Sequence, residues 1–352
     1  MPTPVQGYAA HSADTDLTPW SFERRDLRPD DIAIDILFCG VCHSDIHTAR
    51  SDWGNEDYPV VPGHEIVGKV TEIGAEVTNY KVGDMIGVGC MVDSCQHCEA
   101  CSQHLEQYCA NDKTPTYGGF DQHDGSPTYG GYSSKIIVNE KFVLRIPEGL
   151  DPAAAAPLLC AGITSYSPLR RWKAGPGKKV AVVGLGGLGH MALKLAHAMC
   201  AEVTLFSRSP NKADDARQLG AHHIVISTDE QQMQDAANQF DLIIDTVPYD
   251  HDLNPYIATL APEGSIVLVG YLGPLGDTLN TSPMVSCGRS LGASLIGGIK
   301  ETQEMLDFCA EHGIASDIEI IDIKDINEAY ERMLKSDVKY RFVIDIATLN
   351  EA

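Results

Sequence analysis

Nowhere in the 352 residues does an apolar run reach the length of about 18 that a membrane-spanning helix needs, so no helical span is expected. The opening MPTPVQGYAAHSADTDLTPW lacks a basic start followed by an apolar stretch, and does not read as a secretory leader. Positive charge is scarce as well: 26 Lys and Arg stand against 49 Asp and Glu, a formal charge of −23. A field of that sign repels phosphates, which excludes nucleic acid as an expected partner. Internal repeats and low-complexity segments are also missing. What remains is a chain with 43% hydrophobic residues, enough for a packed core, and a length that suggests two domains. The expected setting is the cytoplasm and the expected partner a small molecule.

Eleven cysteines are present, too scattered for the disulfide framework of a small secreted protein. Four of them, Cys95, Cys98, Cys101 and Cys109, follow the spacing C-x2-C-x2-C-x7-C. Thiolates that close in sequence can surround one zinc ion at about 2.3 Å each and fold the loop around it. Two disulfides are the alternative, and they need an oxidising compartment that nothing in the sequence announces.

Residues 1 to about 150 read as short strands between turns, including DIAIDILFCG, EIVGKVTEIG, DMIGVG and YSSKIIVN. From about Pro157 strands alternate with helical segments: VAVV, VTLF, HIVI, LIID and IVLVG are the strands, and LGHMALKLAHAMCAE carries apolar residues at helical spacing. That alternation predicts a doubly wound parallel sheet of the Rossmann kind. After about Leu295 come two more helices and two strands, ending in RFVIDI.

Strand VAVV runs into Gly184-Leu185-Gly186-Gly187-Leu188-Gly189 and then into the helix. Between a buried strand and a helix, G-x-G-x-x-G permits the tight turn, the approach of a pyrophosphate to backbone, and close helix packing. A purely structural glycine turn is the alternative. The next strand ends in Ser207-Arg208-Ser209, with Lys212 one turn on, where an NAD site usually carries an acid for the ribose 2′-hydroxyl. Two hydroxyls and two cations suit a 2′-phosphate instead, so NADP(H) is expected.

A hydride carrier needs a substrate whose oxygen is polarised. Cys42 lies in the run Cys39-Gly40-Val41-Cys42-His43-Ser44-Asp45, and His64 and Glu65 follow Gly63. Cys160 sits in LLCAGIT. Two thiolates and an imidazole leave the fourth position of a zinc ion for water or substrate. Read from the residues alone, Cys39 competes for the ligand role, and any one of these cysteines could be a buried structural residue.

The run from Cys39 to His47, the pattern G-H-E-x2-G-x5-G from Gly63 to Gly74, the four-cysteine segment, LLCAGIT and GLGGLG together resemble the zinc-containing medium-chain alcohol dehydrogenases. The likeness spans essentially the whole chain, and is greatest to the cinnamyl alcohol dehydrogenase branch with its broad-specificity NADP-dependent aldehyde reductases. It implies a Rossmann domain at 156–296 and a β-rich GroES-like catalytic domain made of 1–155 and 297–352. It further implies two zinc ions per subunit, one catalytic on Cys42, His64 and Cys160 with Glu65 as a transient ligand, and one structural on the four clustered cysteines. In that pattern Asp45 orients His64, Ser44 reaches the substrate oxygen, and His47 passes the proton to solvent. His43, Thr164, Thr246, Val247, Gly270, Ser294, Leu295 and Ile296 would line the cofactor path, and Arg341 would meet the pyrophosphate.

The resemblance suggests a cytoplasmic homodimer acting on primary alcohols and aldehydes, aromatic, cinnamyl or medium-chain aliphatic. Trp53, Tyr58, Thr114, Tyr117 and Leu295 are candidates for the substrate pocket. Three other functions compete: an NAD-dependent polyol dehydrogenase, a zinc-free quinone reductase sharing the nucleotide half, and a binding module that uses the cysteine segment as a recognition finger. The acidic composition speaks against a nucleic-acid finger.

Overall fold

A computed structural model describes residues 3–54, 57–270 and 273–351. The chain forms two compact units, Met1–Cys160 with Gly297–Ala352, and Ala161–Ile296. No helix among the described residues is long and apolar enough to cross a membrane.

The first unit is organised by the strand Asp31–Gly40. Ile32, Ile34 and Ile36 are buried along it, and it has partners on both sides. It lies in a seven-stranded sheet whose path runs Ile318–Asp322, Arg341–Asp345, Asp31–Gly40, Ile66–Ile73, Met85–Val88 and Leu144–Arg145, with Lys135–Asn139 also paired to the central strand. Arg341–Asp345 pairs antiparallel with Asp31–Gly40, so the C-terminal segment completes the N-terminal sheet. The helix Ile326–Leu334 buries Ile326, Ala329, Tyr330 and Met333, the spacing of one helical face.

The second unit is the doubly wound sheet that the alternating pattern predicts. Its six parallel strands lie in the order His223–Ile226, Glu202–Ser207, Lys179–Val183, Phe240–Asp245, Leu260–Leu268 and Ser290–Ala293. Helices cover such a sheet on both faces, so its strands are apolar throughout rather than alternating, as Val180 to Val183 are here. The first strand in sequence lies third in space, with the second strand on one side and the fourth on the other. The loop leaving it therefore opens at the point where the strand order reverses, the usual nucleotide crevice of such sheets.

Candidate metal centres and nucleotide site

Between the short paired strands Met91–Ser94 and Lys113–Pro115, the chain loops out and turns its four cysteines inward. The sulfur atoms of Cys98 and Cys101 are 3.5 Å apart, and those of Cys95 and Cys101, and of Cys98 and Cys109, are 4.0 Å apart. A tetrahedron with bonds of about 2.3 Å has edges of roughly 3.8 Å, so these sulfurs stand where one metal ion would hold them. All the cysteines are free, which removes the disulfide alternative. Backbone amides aim at the sulfurs: Cys95 N donates to Cys109 Sγ at 3.4 Å and Ala110 N to Cys98 Sγ at 3.5 Å. The backbone N–H of His97 holds the Cys95 thiol down to about 5, whereas burial pushes Cys101 up to about 12. Such a set favours thiolate only if a cation shares the charge.

A second cluster is assembled from distant segments. Cys42 is the N-cap of the helix His43–Ala49, where Asp45 accepts a hydrogen bond from the Cys42 backbone at 2.8 Å. His64 and Glu65 precede the strand Ile66–Ile73, and Cys160 ends the turn Ala156–Leu159. One donor atom from each of Cys42, His64, Glu65 and Cys160 lies within 4.8 Å of the others, and all four side chains are buried. Cys42 and Cys160 sulfurs are 4.0 Å apart. Gly40 makes room for the carboxylate: a Cβ there would stand 2.0 Å from Glu65 Oε2.

The polar surroundings of this cluster tie its ligands together. Asp45, fully buried, also accepts from Gly63 N at 3.1 Å and from Tyr132 Oη at 3.0 Å, and its Oδ1 is 3.3 Å from His64 Nδ1. Tyr117 Oη lies 3.3 Å from the same nitrogen. Arg341 pairs with Glu65 Oε1, while Glu65 Oε2 is buried with no protein partner. Burial raises the Glu65 carboxyl to about 8 despite Arg341 beside it. Hydrogen bonding between Cys42 and Cys160 pulls the first thiol down and pushes the second up. Burial alone would lower His64, but the charges of Cys90 and Asp45 outweigh it and raise the imidazole well above its ordinary value. So many acidic groups around one arginine call for a further cation, and two sulfurs, one nitrogen and one carboxylate fit zinc.

In the second unit, Gly184 leaves the first strand with φ +88°, and the helix Gly187–Ala198 starts after it. A Cβ on Gly189 would stand 2.2 Å from the Gly184 carbonyl oxygen, so only glycine lets the helix pack this close, whereas a Cβ on Gly186 would meet nothing within 4 Å. Gly186 therefore borders open space at the helix N-terminus, as a phosphate cradle requires. Thr246 Oγ1 donates to the Val183 carbonyl at 2.7 Å behind the turn. At the end of the second strand Ser207 is buried, and its hydroxyl donates to the Ser209 carbonyl at 2.8 Å. Lys212 Nζ donates to the Leu185 carbonyl at 2.8 Å, which brings the cation onto the glycine turn. These groups suit a dinucleotide with a further phosphate at the ribose.

Other residues named from sequence fall in several places. Ser44 Oγ is 3.7 Å from Cys42 Sγ. His47 is partly exposed, with Nδ1 2.8 Å from Asp52 and its ring 5.2 Å from that of Trp53. Tyr58 Oη donates to the Ala49 carbonyl at 3.0 Å. His43 is partly buried on the same helix as Ser44, and Thr164 is buried on the helix Ala161–Arg171. Gly270 packs against the Val247 carbonyl, Ser294 N donates to the Leu268 carbonyl, and Leu295 is exposed beside a buried Ile296. Thr114 lies elsewhere: it is buried on Lys113–Pro115 and lines a cavity of about 300 Å³ together with Trp20, Phe22, Arg25 and Asp121, a cavity that none of the second cluster's donors reaches. Sequence reasoning missed Tyr132 and Cys90. No local spacing marks either, because each meets the cluster only through the fold.

Residues 28–148 match the family model of the alcohol dehydrogenase GroES-like domain, and residues 187–311 that of the zinc-binding dehydrogenase domain. The NADP-dependent alcohol dehydrogenase C 1 of Mycolicibacterium smegmatis is 55% identical over 98% of this chain and 99% of its own length. Aldehyde reductase YahK of Escherichia coli is 51% identical over 99% of each chain. Among solved structures, a cinnamyl alcohol dehydrogenase from Sorghum bicolor superposes with a TM-score of 0.95 at 46% identity, over 98% of both chains. With fold, ligand sets and full-length likeness in agreement, this chain belongs to the zinc-containing medium-chain alcohol dehydrogenases, in the branch of the cinnamyl alcohol dehydrogenases and NADP-dependent aldehyde reductases.

Proposed function

We propose that the protein interconverts primary alcohols and aldehydes by hydride transfer with NADP(H), using zinc held by Cys42, His64 and Cys160. The observation that carries this is the buried convergence of two thiols, an imidazole and a carboxylate whose second oxygen has no protein partner. A zinc-free quinone reductase would have no use for that set or for the cysteine segment. Cys95, Cys98, Cys101 and Cys109 would fill every position of a zinc ion of their own, which supports a structural role for it. Ser207, Arg208, Ser209 and Lys212 would take the 2′-phosphate, which favours NADP(H) over the NAD of a polyol dehydrogenase. We also propose a cytoplasmic homodimer, the state suggested by the branch.

When bound, zinc polarises a carbonyl oxygen and NADPH carries the hydride. The rest falls to the protein. Ser44, two residues after a ligand, donates a proton to the product oxygen, and His47 restores it from solvent with Asp52 holding its Nδ1. Asp45 fixes the orientation of His64 and braces the Cys42 and Gly63 backbones. Glu65, paired with Arg341 through one oxygen, would offer its other, unpartnered oxygen as a transient ligand to zinc. The test is a panel of aldehydes assayed with NADPH and with NADH on protein of known zinc content. The reading expects kcat/KM at least about tenfold higher with NADPH, the lower end of what one charge-assisted contact to phosphate confers. Equal efficiency with the two coenzymes would count against it.

A further inference from the structure

Arg208 stands at the end of the strand Glu202–Ser207, and its guanidinium forms no ion pair with a carboxylate among the described residues. An unpaired arginine samples many rotamers, and a ligand that fixes it loses affinity to that ordering. Here the guanidinium instead lies over an aromatic face, with Cζ 5.8 Å from the centroid of the Tyr249 ring. That is within the reach of about 6 Å at which a cation is held by a ring. Tyr249 is half exposed, so the packing of the core does not explain the placement of its ring.

The backbone below that ring is anchored. His251 Nδ1 lies 2.9 Å from the Tyr249 carbonyl, and Nε2 2.9 Å from Asp245 Oδ2. A carbonyl and an ionised carboxylate only accept, so this pair of partners favours the doubly protonated ring. Hydrogen bonding to Asp245 raises its proton affinity accordingly. Asp245 Oδ1 also accepts from Val247 N at 3.1 Å, so one buried carboxylate holds both ends of the segment that presents Tyr249. On the other side, Thr228 Oγ1 donates to the Arg208 carbonyl at 3.3 Å.

Lys212 is the second cation here. Burial and the charge of Arg208 both lower its proton affinity, so the two cations repel each other. Arg208 is itself exposed, so the Tyr249 ring is the contact that restrains its guanidinium. We propose that Tyr249 is a positioning residue whose ring keeps the Arg208 guanidinium beside Lys212, prepared for the 2′-phosphate of the coenzyme. The inference rests on the NADP(H) reading above.

The experiment measures binding of 2′,5′-ADP and of 5′-AMP to the full-length protein by calorimetry, in the wild type, Tyr249→Ala and Tyr249→Phe. The expected result is a loss of about two- to fivefold for 2′,5′-ADP in Tyr249→Ala, with 5′-AMP unchanged and Tyr249→Phe like the wild type. An equal loss for both ligands, or no loss in Tyr249→Ala, overturns the role of Tyr249. A wild type that binds 5′-AMP as tightly as 2′,5′-ADP overturns the NADP(H) reading itself, and with it the inference. Melting temperatures of the variants separate a lost contact from a damaged fold.

Discussion

The loop carrying Cys95 to Cys109 and the cluster around Cys42 both gather thiols, but they do so in opposite ways. The loop draws four like ligands from one short segment, leaves most of them partly exposed, and turns backbone amides onto the sulfurs. The cluster draws unlike ligands from three separate segments and buries all of them, with Asp45, Tyr132, Tyr117 and Arg341 around them. Four thiolates from one loop close a metal completely and ask little of the rest of the protein. A mixed set brought together by the whole fold can leave a position for substrate and a carboxylate that exchanges. On the proposed reading, the comparison separates a site that would support the fold from a site that the fold supports.

The comparison breaks most readily at the second cluster. Cys42→Ala or His64→Ala should lower kcat/KM by about a thousandfold or more, the several kcal/mol that a Lewis acid supplies, while zinc bound by the loop persists. Next comes His47→Ala, expected to slow turnover about ten- to hundredfold at neutral pH, with part of the rate restored by an added buffer base. Full activity without rescue would remove His47 from the proton path.

The loop should respond on the other axis. Cys101→Ser, at its buried ligand, is expected to keep kcat within about twofold at 25 °C while the melting temperature falls by about 5 °C or more. A large loss of kcat with an unchanged melting temperature would reverse the assignment of the two sites. The smallest effect concerns the nucleotide unit. His251 gains proton affinity from Asp245 with help from Asp250, and Tyr256 is the other ring beside it. Because the folded value is raised, the stability from this pair is fully present below the unfolded value of about 6.5 and is lost as pH rises through the folded value. His251→Gln should therefore melt below the wild type at pH 6, by about 1–2 °C, and the gap should close in alkaline buffer. A gap that widens with pH would mean that His251 is neutral.

What the sequence disclosed follows the same division. Features set by near neighbours were legible: the alternation of strands and helices, the glycine turn, the cysteine spacing and the missing acid after the second Rossmann strand each lie within a few residues. Cys42, His64 and Cys160 were not legible by spacing, since each gap between them depends on intervening loops, and Cys39 could not be set aside from residues alone. The structure buries Cys39 in the sheet, near the place where a Cβ on Gly63 would stand. Least legible were contacts between distant positions. Arg341 meets Glu65 because the C-terminal strand returns to the N-terminal sheet. Tyr132 reaches Asp45, and Tyr249 reaches Arg208, through folding that no motif records.

Metal stoichiometry tests the central claim most directly, measured by mass spectrometry on the wild type and on Cys42→Ala alongside turnover. The account predicts two zinc ions per wild-type chain and one in the variant, with the loss of that single ion abolishing activity. A wild type with one zinc ion that Cys42→Ala retains, or a variant that turns over normally, would contradict it.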